Sequence, residues 1–337
     1  MARFRGPVGM KGSRLDLFWY TECTSKKAYI FAPAMNSPLE TLFQSVSGPH
    51  WSAGAELMSL LLFARANTLW RSKGMRSTPL AMLMIRSAIA VTLVCTLTWA
   101  QGVALPGWGT WTPVQLATVL LGMFGGWGLL LFATSLSQLP SRLVFFGGTV
   151  HLFFGAAMGF FVLGEEIGPV RGMVLALLLT AQIVLWWKDR QTWLAMPRVQ
   201  RWIPFVIGFI WGMYYPSIGV VQSQLGVWNT IVLTEYGVFL TLLGAFAVQI
   251  RSQWTGFTQG VHYRQMGEQA VLSLLGQSFS ALCIAWGGVV LHSILTNFSV
   301  IINVSAFRLR FGERIDWRYM GFFVAYGLLM VLMTYAD

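Results

Sequence analysis

Apolar stretches of about 20 residues, the length of a helix that crosses a bilayer, recur along this chain with only short polar breaks. They lie near 79–99, 114–136, 142–163, 169–187, 202–222, 228–249, 268–286, 288–309 and 316–335. Only 10% of the residues are charged and 55% are hydrophobic, against about 25% charged in a soluble domain. Folding in water cannot hide that much apolar surface. The expected class is an all-α polytopic membrane protein, integral to the cell (inner) membrane, with about ten transmembrane helices. Nine spans are firm. The first, near 53–71, is marginal because it contains Glu56, Arg65 and Asn67, and ionised groups at mid-bilayer are costly.

The net charge of +11 would suggest nucleic acid in a soluble protein. Here the basic residues sit in the first 50 residues and in the short breaks, which is the signature of membrane orientation. With ten helices, the odd-numbered connections carry nearly all the Lys and Arg, and the even-numbered ones hold only Arg171. That places the odd connections in the cytoplasm and both termini outside, unless 53–71 does not span. The stretch 1–50 reads as a poorly ordered basic tail. Cys23, Cys95 and Cys283 show no C-x-x-C spacing, so neither a disulfide framework nor a metal site is expected. The phosphate-binding loop G-x-x-x-x-G-K-[ST] is absent, so ATP is not expected as the direct driver. No cofactor is expected.

A motif repeats. "LGEE" (163–166) closes one apolar run and "FGER" (311–314) closes another, with Glu165 and Glu313 standing 148 residues apart. Shifting the chain by about that amount lays 79–99 on 228–248, which sets Arg86 against Glu235. It also lays 142–163 on 290–311. The expected organisation is a first five-helix unit (51–188), a connecting loop (189–201) and a second five-helix unit (202–337). An odd number of spans per unit makes the second copy enter from the opposite side, giving two inverted five-helix repeats, an architecture of secondary transporters.

These residues resemble the drug/metabolite transporter superfamily, in its EamA-like ten-helix branch. The resemblance rests on "LGEE", "FGER", the Gly opening each following helix (Gly172, Gly321) and "TPLAMLMIRSAIA" at 78–90. It implies ten helices in two halves, transport of small organic solutes, often export, and cytoplasmic termini. The polar first helix, the basic tail and the uncharged break 100–112 depart from the family pattern. Orientation stays open.

Candidate site residues come from polar groups inside apolar helices, where they avoid lipid and mark function. Glu235 stands deep in a firm span, where a buried carboxyl either takes a proton or pairs with a cation. The alternative is a structural pair with an Arg or a Tyr. Arg86 is a candidate for an anionic group. His292, Thr296, Ser299 and Asn303 are spaced by 4, 3 and 4, one helical face, and the 148 shift brings His151 opposite Ser299. Tyr214 and Tyr215 precede Pro216, and a proline there can open a helical turn. Aromatic packing explains them equally. Gly164, Glu165, Gly312 and Glu313 are expected as structural groups that fix a turn and the N-terminus of the next helix.

The function expected is a secondary transporter that moves a small organic solute by alternating access, not an enzyme, with protons as a candidate coupling ion and the lipid bilayer as its setting. Two alternatives stand: a polytopic enzyme acting on a lipid-linked substrate, and a non-transporting membrane partner protein. Oligomeric state is not legible.

Overall fold

A computed structural model describes residues 49–71, 79–101, 111–148, 150–188, 190–258 and 263–312. The expected tail up to residue 48, the span 316–335 and Glu313 lie outside the described residues. The elements are α1 (Pro49–Leu69), α2 (Pro79–Ala100), α3 (Pro113–Gln138), α4 (Ser141–Gly148), α5 (Val150–Phe161), α6 (Pro169–Lys188), α7 (Arg190–Ala195), α8 (Arg198–Leu225), α9 (Val227–Thr258), α10 (Tyr263–Thr296) and α11 (Phe298–Phe311). No strand occurs among the described residues. Every apolar run expected between 79 and 309 is largely helical, and among the described residues seven helices are long and apolar enough to cross a membrane. Their outward faces carry large exposed hydrophobics such as Trp99, Phe161, Ile183, Trp187 and Val248, as lipid contact requires. The protein is an integral membrane protein.

Local chemistry sets the helix ends. Thr112 and Gln115 form a capping box at the start of α3, with Pro113 at its first position, so two backbone donors that the helix leaves orphaned are satisfied. Gly226 ends α8 at φ +80°, and α9 begins at the next residue. The loop expected over 189–201 is more ordered than its polarity suggests. It folds into α7, and α8 already starts at Arg198. Arg201 donates to the Met196 and Leu194 carbonyls, occupying acceptors that a helix C-terminus leaves open.

The "WGG" at 286–288 behaves as a hairpin. α10 breaks at Gly288 (φ +83°, ψ 170°), and the chain reverses. α1 lies between the two arms. Arg65 meets Glu268, Ser59 meets Ser280 and Ser52 adjoins Gly287, so α1 runs antiparallel to the arm 263–287. Glu56 meets Thr296, and Asn67 meets Asn303, so it runs parallel to the arm after the break. Pro216, by contrast, opens nothing. α8 runs on through it, and Ser217 Oγ donates to the Met213 carbonyl at 2.8 Å.

Gly164 and Gly312 both take φ +67°, the left-handed conformation that ends helices. Glu165 does cap a helix, though not the one that follows it. Its two carboxylate oxygens accept the N–H groups of Val289 (2.7 Å) and Val290 (2.8 Å), the first donors after the Gly288 break. A carboxylate suits a helix N-terminus because the donors and the helix dipole both favour it. Gly288→Ala combines an unfavourable φ with a methyl 3.0 Å from Glu165 Oε2. We expect it to lower stability by about 1–3 kcal/mol, read as a fall in the thermal midpoint of the detergent-solubilised protein.

Candidate functional site

A cavity of about 160 Å³ lies within the bundle, on the scale of a cavity that takes one benzene-sized molecule. Eight of the nine candidate residues, all but His292, line it. Arg86 and Glu235 come from α2 and α9, and His151 from α5. Tyr214 and Tyr215 come from α8, and Thr296, Ser299 and Asn303 from the second arm of α10 and α11. Leu60, Phe63, Trp70, Phe132, Val144, Phe145 and Trp211 supply apolar walls. Several of these belong to the apolar cluster that also holds Leu83, Leu136, Leu242 and Phe307. An apolar lining with a few converging polar groups is the usual make-up of a small-molecule site.

Arg86 and Glu235 are 3% and 1% exposed and form a buried ion pair. Nη1 donates to Oε2 at 2.9 Å and Nη2 to Oε1 at 3.3 Å, the two-point geometry that a guanidinium offers a carboxylate. Gln269 accepts from Arg86 Nε, and Ser273 accepts from both Nε and Nη2. The guanidinium is thus satisfied on several sides. Of the two fates open to a buried carboxyl, Glu235 has the cation partner.

A second polar cluster joins the candidates His292 and Thr296 to Glu56, which the sequence does not single out as a site residue. Glu56, in the helix thought marginal, is as buried as Glu235. Its Oε2 meets His292 Nδ1 at 2.9 Å and accepts from Ser280 Oγ at 3.3 Å. Its Oε1 accepts from Thr296 Oγ1 at 3.0 Å. Cys283 joins the group: one ligand atom each of Glu56, Cys283 and His292 lie within 4.8 Å of one another. Tyr215 packs its ring on His292 at 4.6 Å between centroids. No metal motif is visible in the sequence because Glu56 lies 236 residues before His292.

A signal for the missed residues did exist. Ser52, Glu56, Ser59 and Asn67 repeat at helical spacing along α1, and Gln269, Ser273, Gln277 and Ser280 do so along α10. These are polar stripes of the kind that picked out His292 to Asn303. Asn67 Nδ2 donates to Asn303 Oδ1 at 2.9 Å, and Gln277 donates to the Tyr214 hydroxyl at 3.2 Å. Three polar stripes therefore face one interior.

The comparisons with known proteins bear on the fold alone. No protein-family model matches this chain, and no curated protein matches it. Twenty-two chains of solved structures are similar. One, described only as "Crystal structure of protein", shares 12% sequence identity at a TM-score of 0.63, over 85% of this chain and 99% of its own. At that identity the likeness carries the arrangement of helices alone.

Proposed function

We propose that this protein is a secondary carrier for a small organic solute with both an apolar body and polar groups. It works by alternating access, and its organisation is of the drug/metabolite transporter kind. The observation that carries this is the cavity: an apolar, aromatic-walled pocket with a few converging polar groups, set among helices with lipid-facing exteriors, and lined from both sides of the connection at α7.

The proposal includes two inverted repeats, and three observations support them. Neighbours come in pairs under the 148-residue shift. α3 packs on α8 and α9, while its counterpart, the first arm of α10, packs on α1 and α2; α5 packs on α8 as α11 packs on α1. Second, Arg86 and Glu235 meet at a separation of 149 residues, as equivalent positions beside a two-fold axis would. Third, Trp228 bonds Thr98 while Glu235 bonds Arg86, so α2 and α9 run antiparallel. An axis lying in the membrane plane relates equivalent helices in that sense; an axis along the membrane normal would leave them parallel.

The test is flux in proteoliposomes across a panel of metabolites and drug-like solutes, with and without a proton gradient. The expected result is saturable uptake or efflux of at least one solute. No flux across a broad panel would remove the reading. A companion measurement follows the aqueous path. In a cysteine-free background, Asn303→Cys in the cavity lining is expected to react with a membrane-impermeant thiol reagent. Leu295→Cys, packed in the apolar cluster around Ile231 and Leu291, is expected not to. Equal labelling would mean that water does not follow the stripe.

A further inference from the structure

We propose that Glu56, Cys283 and His292 form a binding site for a zinc-class divalent cation, with one coordination position open toward the cavity. This rests on the side-chain cluster and does not depend on the carrier reading.

The donor set points to the metal. A thiol, an imidazole nitrogen and a carboxylate oxygen lie within 4.8 Å of one another, all from buried residues. Magnesium and calcium prefer all-oxygen shells, while mixed sulfur, nitrogen and oxygen donors suit zinc. In a tetrahedral zinc site, ligand atoms stand roughly 3.4–3.7 Å apart, given bonds of about 2.0–2.3 Å. The 2.9 Å contact between Glu56 and His292 then opens by about half an ångström, and the widest spacing closes by about one. Side-chain rotation supplies movements of that size.

Charge favours the same occupant. A divalent ion with Glu56 carboxylate, Cys283 thiolate and neutral His292 sums to zero. Neutrality matters because an uncompensated charge in an apolar interior is costly. Binding must displace the thiol proton, and the proton of any His292 imidazolium, so affinity falls as pH falls.

An outer shell is in place as well. Thr296 Oγ1 holds Glu56 Oε1, and Ser280 holds Oε2 while bonded to Ser59. Groups like these orient metal ligands and tune their strength. The three ligands come from three segments: α1, the arm before Gly288 and the arm after it. A bound ion would clasp all three. Glu56 and Thr296 also line the cavity, so the fourth position faces it, where a water or a solute donor fits.

The experiment uses the full chain, purified metal-free in detergent, titrated with Zn²⁺ alone by calorimetry and checked by metal analysis after dialysis. One ion per chain is expected, with a higher thermal midpoint. Cys283→Ala and His292→Gln are each expected to weaken binding by more than the roughly 10–100-fold that loss of an outer-shell contact costs. Cys95→Ala, outside the cluster, is expected to leave it unchanged. A second readout needs no variant: Co²⁺ added to the native chain is expected to give a thiolate-to-cobalt charge-transfer band in the near ultraviolet. Absence of stoichiometric zinc, absence of that band, or binding unchanged in both cluster variants would each overturn the site. In the first two cases the cluster holds protons, not a metal ion.

Discussion

Arg86→Leu is expected to cost about 3–5 kcal/mol of stability, the usual penalty for removing one partner of a buried pair. The reason lies less in the lost attraction than in what stays behind. Glu235 is 1% exposed, and its carboxylate would keep no cation in contact. Gln269 and Ser273 would also lose their donor. The double variant Arg86→Leu/Glu235→Leu removes both charges and should recover most of the loss, because a buried pair replaced by apolar side chains is often near neutral. Glu235→Gln should fall between the two, since Gln269 and Ser273 still receive the guanidinium. The measurement is the thermal midpoint of each variant in detergent, combined as a double-mutant cycle. A double variant no more stable than Arg86→Leu alone would show that the pair acts through packing. If Glu235→Gln folds, its proteoliposome flux against pH separates a coupling role from a purely structural one.

Gly237→Leu is expected to prevent folding, and Gly237→Ala and Gly122→Ala to be severely destabilising. α3 and α9 touch backbone to backbone at these points. A Cβ on Gly237 would sit 2.7 Å from the Met123 nitrogen and inside contact distance of the Val119 carbonyl oxygen; one on Gly122 would strike the Thr234 carbonyl. Backbone atoms cannot turn aside as a flexible side chain can, so the helices must separate, and overpacking costs about 1–3 kcal/mol or more. Separation would also pull Glu235, two residues from Gly237, away from its place beside Arg86. Small residues that let backbones approach are a known means of holding membrane helices together. Gly244→Ala is the control: nothing lies within 4 Å of a Cβ there, and no loss is expected. Fluorescence-detected size exclusion of tagged variants reads all four. A monodisperse, thermally stable Gly237→Leu would mean that α3 and α9 do not pack this way.

The fold class was written in the lengths of the apolar runs, because a bilayer fixes the length of a helix that crosses it. The positions of Arg86, His151, Glu235 and Asn303 within those runs were enough to place them at one cavity. Hydropathy could not show which polar groups meet. Glu56 looked like a liability in a weak helix, since its partners Ser280, His292 and Thr296 lie more than 200 residues away. Glu165 carried the right role but the wrong helix for the same reason. A carboxylate after a helix-ending glycine reads as a local cap, and nothing in the neighbouring sequence reveals that the helix starting at Val289 stands closer. Close packing through Gly122 and Gly237 was also unreadable, because glycine is common in membrane helices whether or not another backbone approaches.

The weak hydropathy of α1 has a consequence in time. Its polar side chains find partners 203 residues later (Arg65 with Glu268) and up to 242 residues later (Thr68 with Arg310). At about 5–20 residues per second of synthesis, those partners emerge roughly 10–50 s after α1. During that interval nothing from α10 or α11 shields Glu56 or Asn67 from hydrocarbon. The first helix to leave the ribosome should therefore be among the last to settle across the bilayer, held at its edge or by the insertion machinery until the hairpin around Gly288 arrives. A chain stopped before Tyr263 is expected to leave α1 unintegrated, with a reporter at its N-terminus on the wrong side or in both orientations.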